Sequence, residues 1–448
     1  MPGSSRLRKA VRTGALMGTC AVVGGALFGV SAQSRTSTPA AQPPASASHG
    51  GDLVSQGRQV FRFDDFGDNA FWGDALQLHK AIEGSANGGV GGGVSPKTAL
   101  SVGLKVDVHA LPKSVRDALK AGKVDLNSPK TTLALLKLNA VVGVKGHFNK
   151  SGTLSSVGIT CALCHSTVNN SFAPGIGQRL DGWPNRDLNV GAIVSLAPNL
   201  KPVTDLLGVD LATVKKVLGA WGPGKFDAEL FLDGKGFRPD GKTAATLIPP
   251  AYGLAGVNLH TYTGWGSIPY WNAFVANLEM HGQGNFFDAR LDDASKFPVA
   301  AKNKMGHTRF NGDKIRGKLP ALQAYQLSLA APHPRGGFDR AAAKRGKAIF
   351  DGKGTCASCH MPPTYSEPGN NLHTPASICT DDFTANRSPT GEYRTTPLGG
   401  LGTRTKGGYY HDGRYQTLGQ VVQHYNSCFG LGLTAQEQSD VVEYLKSL

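Results

Sequence analysis

Two copies of one short pattern, Cys161-Ala-Leu-Cys164-His165 and Cys356-Ala-Ser-Cys359-His360, constrain this chain more than any other feature. Two thiols at this spacing can each form a thioether with a vinyl group on a porphyrin edge. The histidine that follows then falls beneath the iron. The clamp needs all three residues, so it is more specific than Cys-x-x-Cys alone. A zinc site drawing on both pairs would have to bridge the long interval from Cys164 to Cys356, unlike a compact zinc ribbon. A thiol–disulfide pair needs no histidine after it and is not expected twice. The pattern therefore predicts two covalently bound haem c groups. Cys161, Cys164, Cys356 and Cys359 hold them, and His165 and His360 are the proximal iron ligands. A haem-free metal-binding or thiol-redox protein is the weakest reading.

The remaining cysteines and the N-terminus speak to compartment. Arg6, Arg8, Lys9 and Arg12 form a basic stretch, Thr13 to Val30 is apolar and small, and Val30-Ser31-Ala32 suits a leader-peptide cleavage site. This predicts a signal peptide over 1–32, periplasmic delivery, and no stable membrane span after cleavage. Cys20 leaves with the leader. Cys379 and Cys428 remain in an oxidising compartment, where a disulfide between them is expected. Gln33 to Gly51 is rich in Pro, Ala and Ser and reads as a flexible linker.

The formal net charge is +15. Export argues against nucleic acid, and no basic block with interleaved aromatics supports it. An acidic redox partner is the milder inference. Hydrophobic content of 40% allows a packed body. Helices are predicted at Gly73–Glu83, Ser114–Ala121, Pro202–Leu218, Ser267 to about Gly282, Ile315–Ala330 and Asp339–Ile349. A hairpin around Asn149-Lys-Ser-Gly152 leads into the first motif. Thr434-Ala-Gln-Glu437 is a capping box opening a final helix, with Val441, Val442, Leu445 and Leu448 on one stripe. The expected fold is mainly α, with short β hairpins and long loops. It comprises two cytochrome c-type haem domains: 52–334, enlarged by insertions, and 335–448. The second, with a helix before its motif and another at its end, resembles a class I cytochrome c domain.

The C-terminal third also resembles the bacterial di-haem cytochrome c peroxidase and MauG superfamily. The residues that carry the likeness are Tyr393-Arg-Thr-Thr-Pro-Leu398, Gly407-Gly-Tyr-Tyr-His411-Asp-Gly-Arg414, Thr417-Leu418 and Val421-Val422-Gln-His424-Tyr425-Asn426. Before the first motif, Phe61-Arg-Phe-Asp-Asp-Phe-Gly67 and Phe71-Trp72 are similar to the rubber-oxygenase branch. The resemblance implies an electron-transfer role for the second haem, with His411 or Tyr425 as alternative sixth ligands. Peroxidases of the family carry a methionine where this chain has Tyr425, and MauG carries a tyrosine. The axial group tunes the potential.

The same resemblance makes the first haem the reaction centre, where peroxide or dioxygen meets iron. Such a site needs a polar group that handles protons within an apolar wall. Ser166 to Val190 contains no histidine, so the candidates come from elsewhere: His147, Trp265, Trp271 and His281. The leading expectation is a periplasmic di-haem oxidoreductase using a small oxidant such as hydrogen peroxide or dioxygen. The rival is a pure electron carrier with both haems six-coordinate and no substrate. The long insertions around the first motif favour the enzyme.

Overall fold

Two helix–helix crossings, each made at a glycine, organise the chain in the computed structural model, which describes residues 47–334 and 336–448. The helix Ala47–Phe63 packs along Leu319–Ser328. A Cβ on Gly57 would stand 1.9 Å from the Ala321 carbonyl oxygen, so only glycine permits this approach. Phe61 then meets the Tyr325 ring edge-on at 5.5 Å, and both are buried. In the C-terminal part Arg340–Asp351 crosses Ala435–Ser447 in the same manner. There a Cβ on Gly346 would stand 1.9 Å from the Asp440 carbonyl oxygen. Phe350 and Tyr444 pack edge-on at 5.2 Å beside that crossing.

The expected leader, with Cys20, and most of the expected linker lie outside the described residues. The last linker residues are a correction, because they begin the helix Ala47–Phe63. Gly50 and Gly51 are poor helix formers. The helix draws its stability from the packing of later turns, through Val54 and Phe61.

Most predicted elements are present. Lys113–Lys120, Arg340–Asp351 and Leu319–Ser328 are helical. The strands Val144–Phe148 and Leu154–Ile159 form the antiparallel hairpin ahead of the first motif. Thr434 and Glu437 close the predicted capping box. Two expected helices are broken. Gly73–Glu83 is a π turn, Ala70–Ala75, followed by Leu78–Glu83, with Gln77 at φ +57 between them. Pro202–Leu218 divides at Gly208, φ +68, into Lys201–Leu207 and Leu211–Trp221. Asp210 caps the second piece by accepting from the Thr213 amide at 2.7 Å. In both places a cap or a left-handed residue interrupts an otherwise continuous apolar pattern. Pro96–Ser101 and Pro129–Lys137 are helices the pattern did not announce.

The fold is mainly helical with short strand pairs. Its largest apolar cluster runs from Trp72 and Leu76 through Val214 and Trp221 to Ile248, and a second core gathers Phe350, Leu418, Val441 and Leu445. Cys379 and Cys428 are disulfide-bonded, as expected. No described helix is long and apolar enough to cross a membrane.

Candidate functional site

The hairpin delivers the first motif as a single helical turn, Ala162–His165. Downstream backbone clamps it: the Gly182 amide donates to the His165 carbonyl and the Asn185 amide to the Cys164 carbonyl, both at 2.8 Å. Cys161, Cys164 and His165 all face a largely apolar cavity of about 320 Å³, a size suited to a small-molecule or cofactor site. His165 donates from Nδ1 to the Pro249 carbonyl at 3.2 Å. That bond selects the tautomer whose Nε2 lone pair is free to bind a metal. Burial pulls the His165 pKa down to about 4, so the ring is neutral at ordinary pH. Burial pushes the Cys161 and Cys164 thiols up to about 12, the opposite of an activated redox thiolate.

The second motif repeats the arrangement on a different scaffold. Cys356–Ser358 is a 3-10 turn, and His360 directs Nδ1 at the Tyr365 carbonyl, 2.8 Å away. The Tyr365 and Tyr444 hydroxyls lie 3.1 Å apart, tying this loop to the C-terminal helix. Both motif histidines are thus oriented by a backbone carbonyl from a downstream segment, which leaves Nε2 available.

The candidate sixth ligands stand in different surroundings. Tyr425 lies on the helix Leu418–Cys428, where burial raises its pKa with a lesser contribution from the nearby Cys359 and Cys356. Its ring stacks on Phe429 at 5.6 Å. His411 is 3% exposed and stacks on Tyr393 at 5.1 Å. Its Nε2 is 3.2 Å from Asp381 and 3.4 Å from Arg414, inside a network that also holds Asp412 and Arg238.

Of the distal-pocket candidates, the cavity contains one. Trp271 is in its wall. Trp265 stands behind Trp271, stacked at 5.1 Å and 9°, and both indole Nε1 groups are buried without an acceptor. His147 is outside the wall, paired through Nε2 with Asp65 at 2.5 Å. His281 is also outside it, stacked on Phe71 at 3.7 Å with φ +60, and burial lowers its pKa to about 4.

Two wall residues escaped the sequence reading. Glu279 ends a π turn, Val275–Glu279, that continues the helix Ile268–Phe274. It is buried with both carboxylate oxygens unpartnered. Burial, reinforced by Glu229 and Asp227, raises its pKa well above the ordinary range. Glu229 is likewise in the wall, with Oε2 unpartnered, and burial lifts it to about 7. The one available signal was an acid inside the apolar run Ala273-Phe-Val-Ala-Asn-Leu-Glu-Met280. Protonated carboxyls in an apolar wall beside a neutral, oriented imidazole can donate and recover protons near neutral pH.

No family model matches the chain. A curated relative, cytochrome-c peroxidase IdrP1 of Denitromonas iodatirespirans, is 26% identical over 246 residues, covering 40% of this chain and 64% of the relative. The chain thus spans less than two thirds of the curated relative it matches. Two solved structures share limited likeness. One is a MauG-like protein associated with microbial copper homeostasis, at 18% identity and TM-score 0.29, covering 47% of this chain and 76% of that one. The other is hydrazine synthase of Kuenenia stuttgartiensis, at 19% identity and TM-score 0.29, covering 48% and 76%. The resemblance to di-haem cytochrome c peroxidases read from the motifs is borne out by the sequence relative.

Proposed function

We propose that the chain is an exported di-haem c-type oxidoreductase that reacts with peroxide or dioxygen at its N-terminal haem and passes electrons through its C-terminal one. One observation carries the reading: the neutral His165, turned by Pro249 to present Nε2, shares an apolar cavity with two motif thiols and the unpaired carboxyl of Glu279. The residues fit a covalently held porphyrin. Cys161 and Cys164 would hold its vinyl edge and His165 its iron, with Cys356, Cys359 and His360 doing the same for the second. Bound haem supplies one-electron redox chemistry and, at the first site, a position for a small oxygen species.

The chain's own residues supply the rest. Val214, Leu218 and Trp221 give the cavity an apolar wall that disfavours water. Glu279 carries a proton at its carboxyl to the oxidant and recovers it through Glu229. Trp271, backed by Trp265, closes one side with a ring able to give up an electron. Tyr425, near Cys356 and Cys359, would be the better placed sixth ligand of a haem held there, and His411 serves the ion-pair network. Electrons come from an acidic redox partner attracted by the chain's positive charge.

Low-temperature EPR of the purified ferric protein, with and without hydrogen peroxide, tests this reading. A high-spin signal that peroxide alters, and alters far more slowly in Glu279→Gln, is expected. Two low-spin signals indifferent to peroxide, also after half-reduction, would leave a pure electron carrier instead.

A further inference from the structure

We propose that Arg186, Arg394 and Arg404, gathered around Tyr262, form the seat for the propionate carboxylates of the porphyrin attached at Cys161 and Cys164. The proposal rests on the haem reading above. Tyr262 and Arg394 line the same cavity as His165 and the two motif cysteines. Arg186 follows directly on Asn185, whose amide is bonded to Cys164. All three guanidinium charges act on the Tyr262 hydroxyl, so the three gather around this wall residue.

Among the described residues none of the three arginines is ion-paired with a carboxylate, although the Asp412 charge also reaches Tyr262. Two Arg186 nitrogens, Nε and Nη1, are buried without a partner. Arg394 donates only to the carbonyls of Thr261 and Thr395. Arg404 reaches only the Tyr252 hydroxyl, at 3.3 Å, and the carbonyls of Pro397 and Gly399, at 3.0 and 2.8 Å. Other buried arginines of this chain do have carboxylates: Arg387 has Asp227 and Asp233, and Arg179 has Asp107 at 3.2 Å. Burial and the repulsion of Arg404 pull Arg394 down to about 10 and also lower Arg186. Holding three partly buried cations together with neutral hydrogen-bond partners is costly, so the chain holds a site made to receive negative charge.

Haem brings that charge in the right form. Its vinyl edge is fixed at Cys161 and Cys164, so its two propionates project from the opposite edge. Planar guanidinium forks match carboxylates bidentately. Arg394 also borders a small cleft with Glu367 and Thr395. Through Tyr365, the loop holding Glu367 also carries the carbonyl that orients His360. The seat is therefore linked through this cleft to the loop that orients the second motif.

The test is potentiometric titration of the full-length purified protein, with its covalent haems counted as pyridine haemochrome. The first haem is identified as the one whose spectrum His165→Ala disturbs. Arg394→Gln and Arg186→Gln should each shift its ferric–ferrous equilibrium about tenfold toward ferric, or about 59 mV. The uncompensated propionate should also make the potential pH-dependent in the carboxylate range, and Arg394→Lys should restore most of the shift. The proposal is overturned if both glutamine variants keep two haems and the original potentials. It is equally overturned if added inorganic phosphate moves the unaltered protein's potential but not the variants', which would mark a seat for free anions. If Arg394→Gln does not fold, Arg186→Gln and Arg394→Lys decide the matter. Fewer than two covalent haems in the unaltered chain would instead defeat the underlying haem reading.

Discussion

Arg387→Met removes a guanidinium shared by two buried carboxylates. Its Nε donates to Asp233 Oδ2 at 2.7 Å and its Nη2 to Asp233 Oδ1 at 3.0 Å, while Nη2 is 2.9 Å from Asp227 Oδ1. All three side chains are at most 1% exposed. The arginine comes from the C-terminal part and the acids from the stretch that carries Glu229 to the cavity wall, so the cluster joins the two. Breaking a buried pair by deleting one partner costs about 3–5 kcal/mol. With two acids left uncompensated, the upper half of that range, about 4–5 kcal/mol, is expected at pH 7.5. The pH dependence has a definite sign. Burial already holds Asp227 at about 6, against the attraction of Arg387, and losing that attraction raises it further. A carboxyl whose folded pKa lies above its unfolded value loses stability as pH rises between the two values. The deficit should therefore shrink at pH 5.5. Urea unfolding followed by far-ultraviolet circular dichroism at both pH values measures it. A loss below about 1 kcal/mol at pH 7.5, or a deficit that grows at pH 5.5, would refute the reasoning.

Gly346→Ala forces a methyl to within 1.9 Å of the Asp440 carbonyl oxygen, and thermal unfolding should show a loss of at least about 2 kcal/mol. Gly219→Ala, in an exposed helical position with nothing within 4 Å of the new carbon, should instead gain up to about 1 kcal/mol; equal effects at the two sites would contradict the crossing argument. With haem held at Cys356 and Cys359 as proposed, Tyr425→Phe should convert it toward high spin in its optical and EPR spectra. His411→Ala should leave that spin state alone and lower stability through loss of the Asp381 and Arg414 contacts, and the reverse pattern would return the ligand role to His411.

Much of the site was legible because its chemistry is local in sequence. The thiol pair and histidine of each motif lie within five consecutive residues, and their spacing states what they can hold. The hairpin before the first motif, the capping box at Thr434 and the helix after Asp339 were legible for the same reason, since turns, caps and apolar periodicity act over a few residues. Gln77 and Gly208 broke expected helices because a left-handed backbone at one position outweighs a continuing apolar pattern.

The sequence by itself determined the two Cys-x-x-Cys-His clamps, the mainly helical character and the eligibility of Cys379 and Cys428 to pair. Only the tertiary structure decided which groups share a space. Glu279 and Glu229 are 50 residues apart and became one acidic pair by lining one cavity. His147 and His281, equally plausible on paper, were drawn to Asp65 and Phe71. Arg186, Arg394 and Arg404 look like scattered surface charges in the sequence and meet only around Tyr262. The physical reason is common to all three: burial and charge coupling depend on distances in space, and nothing in local spacing encodes those distances.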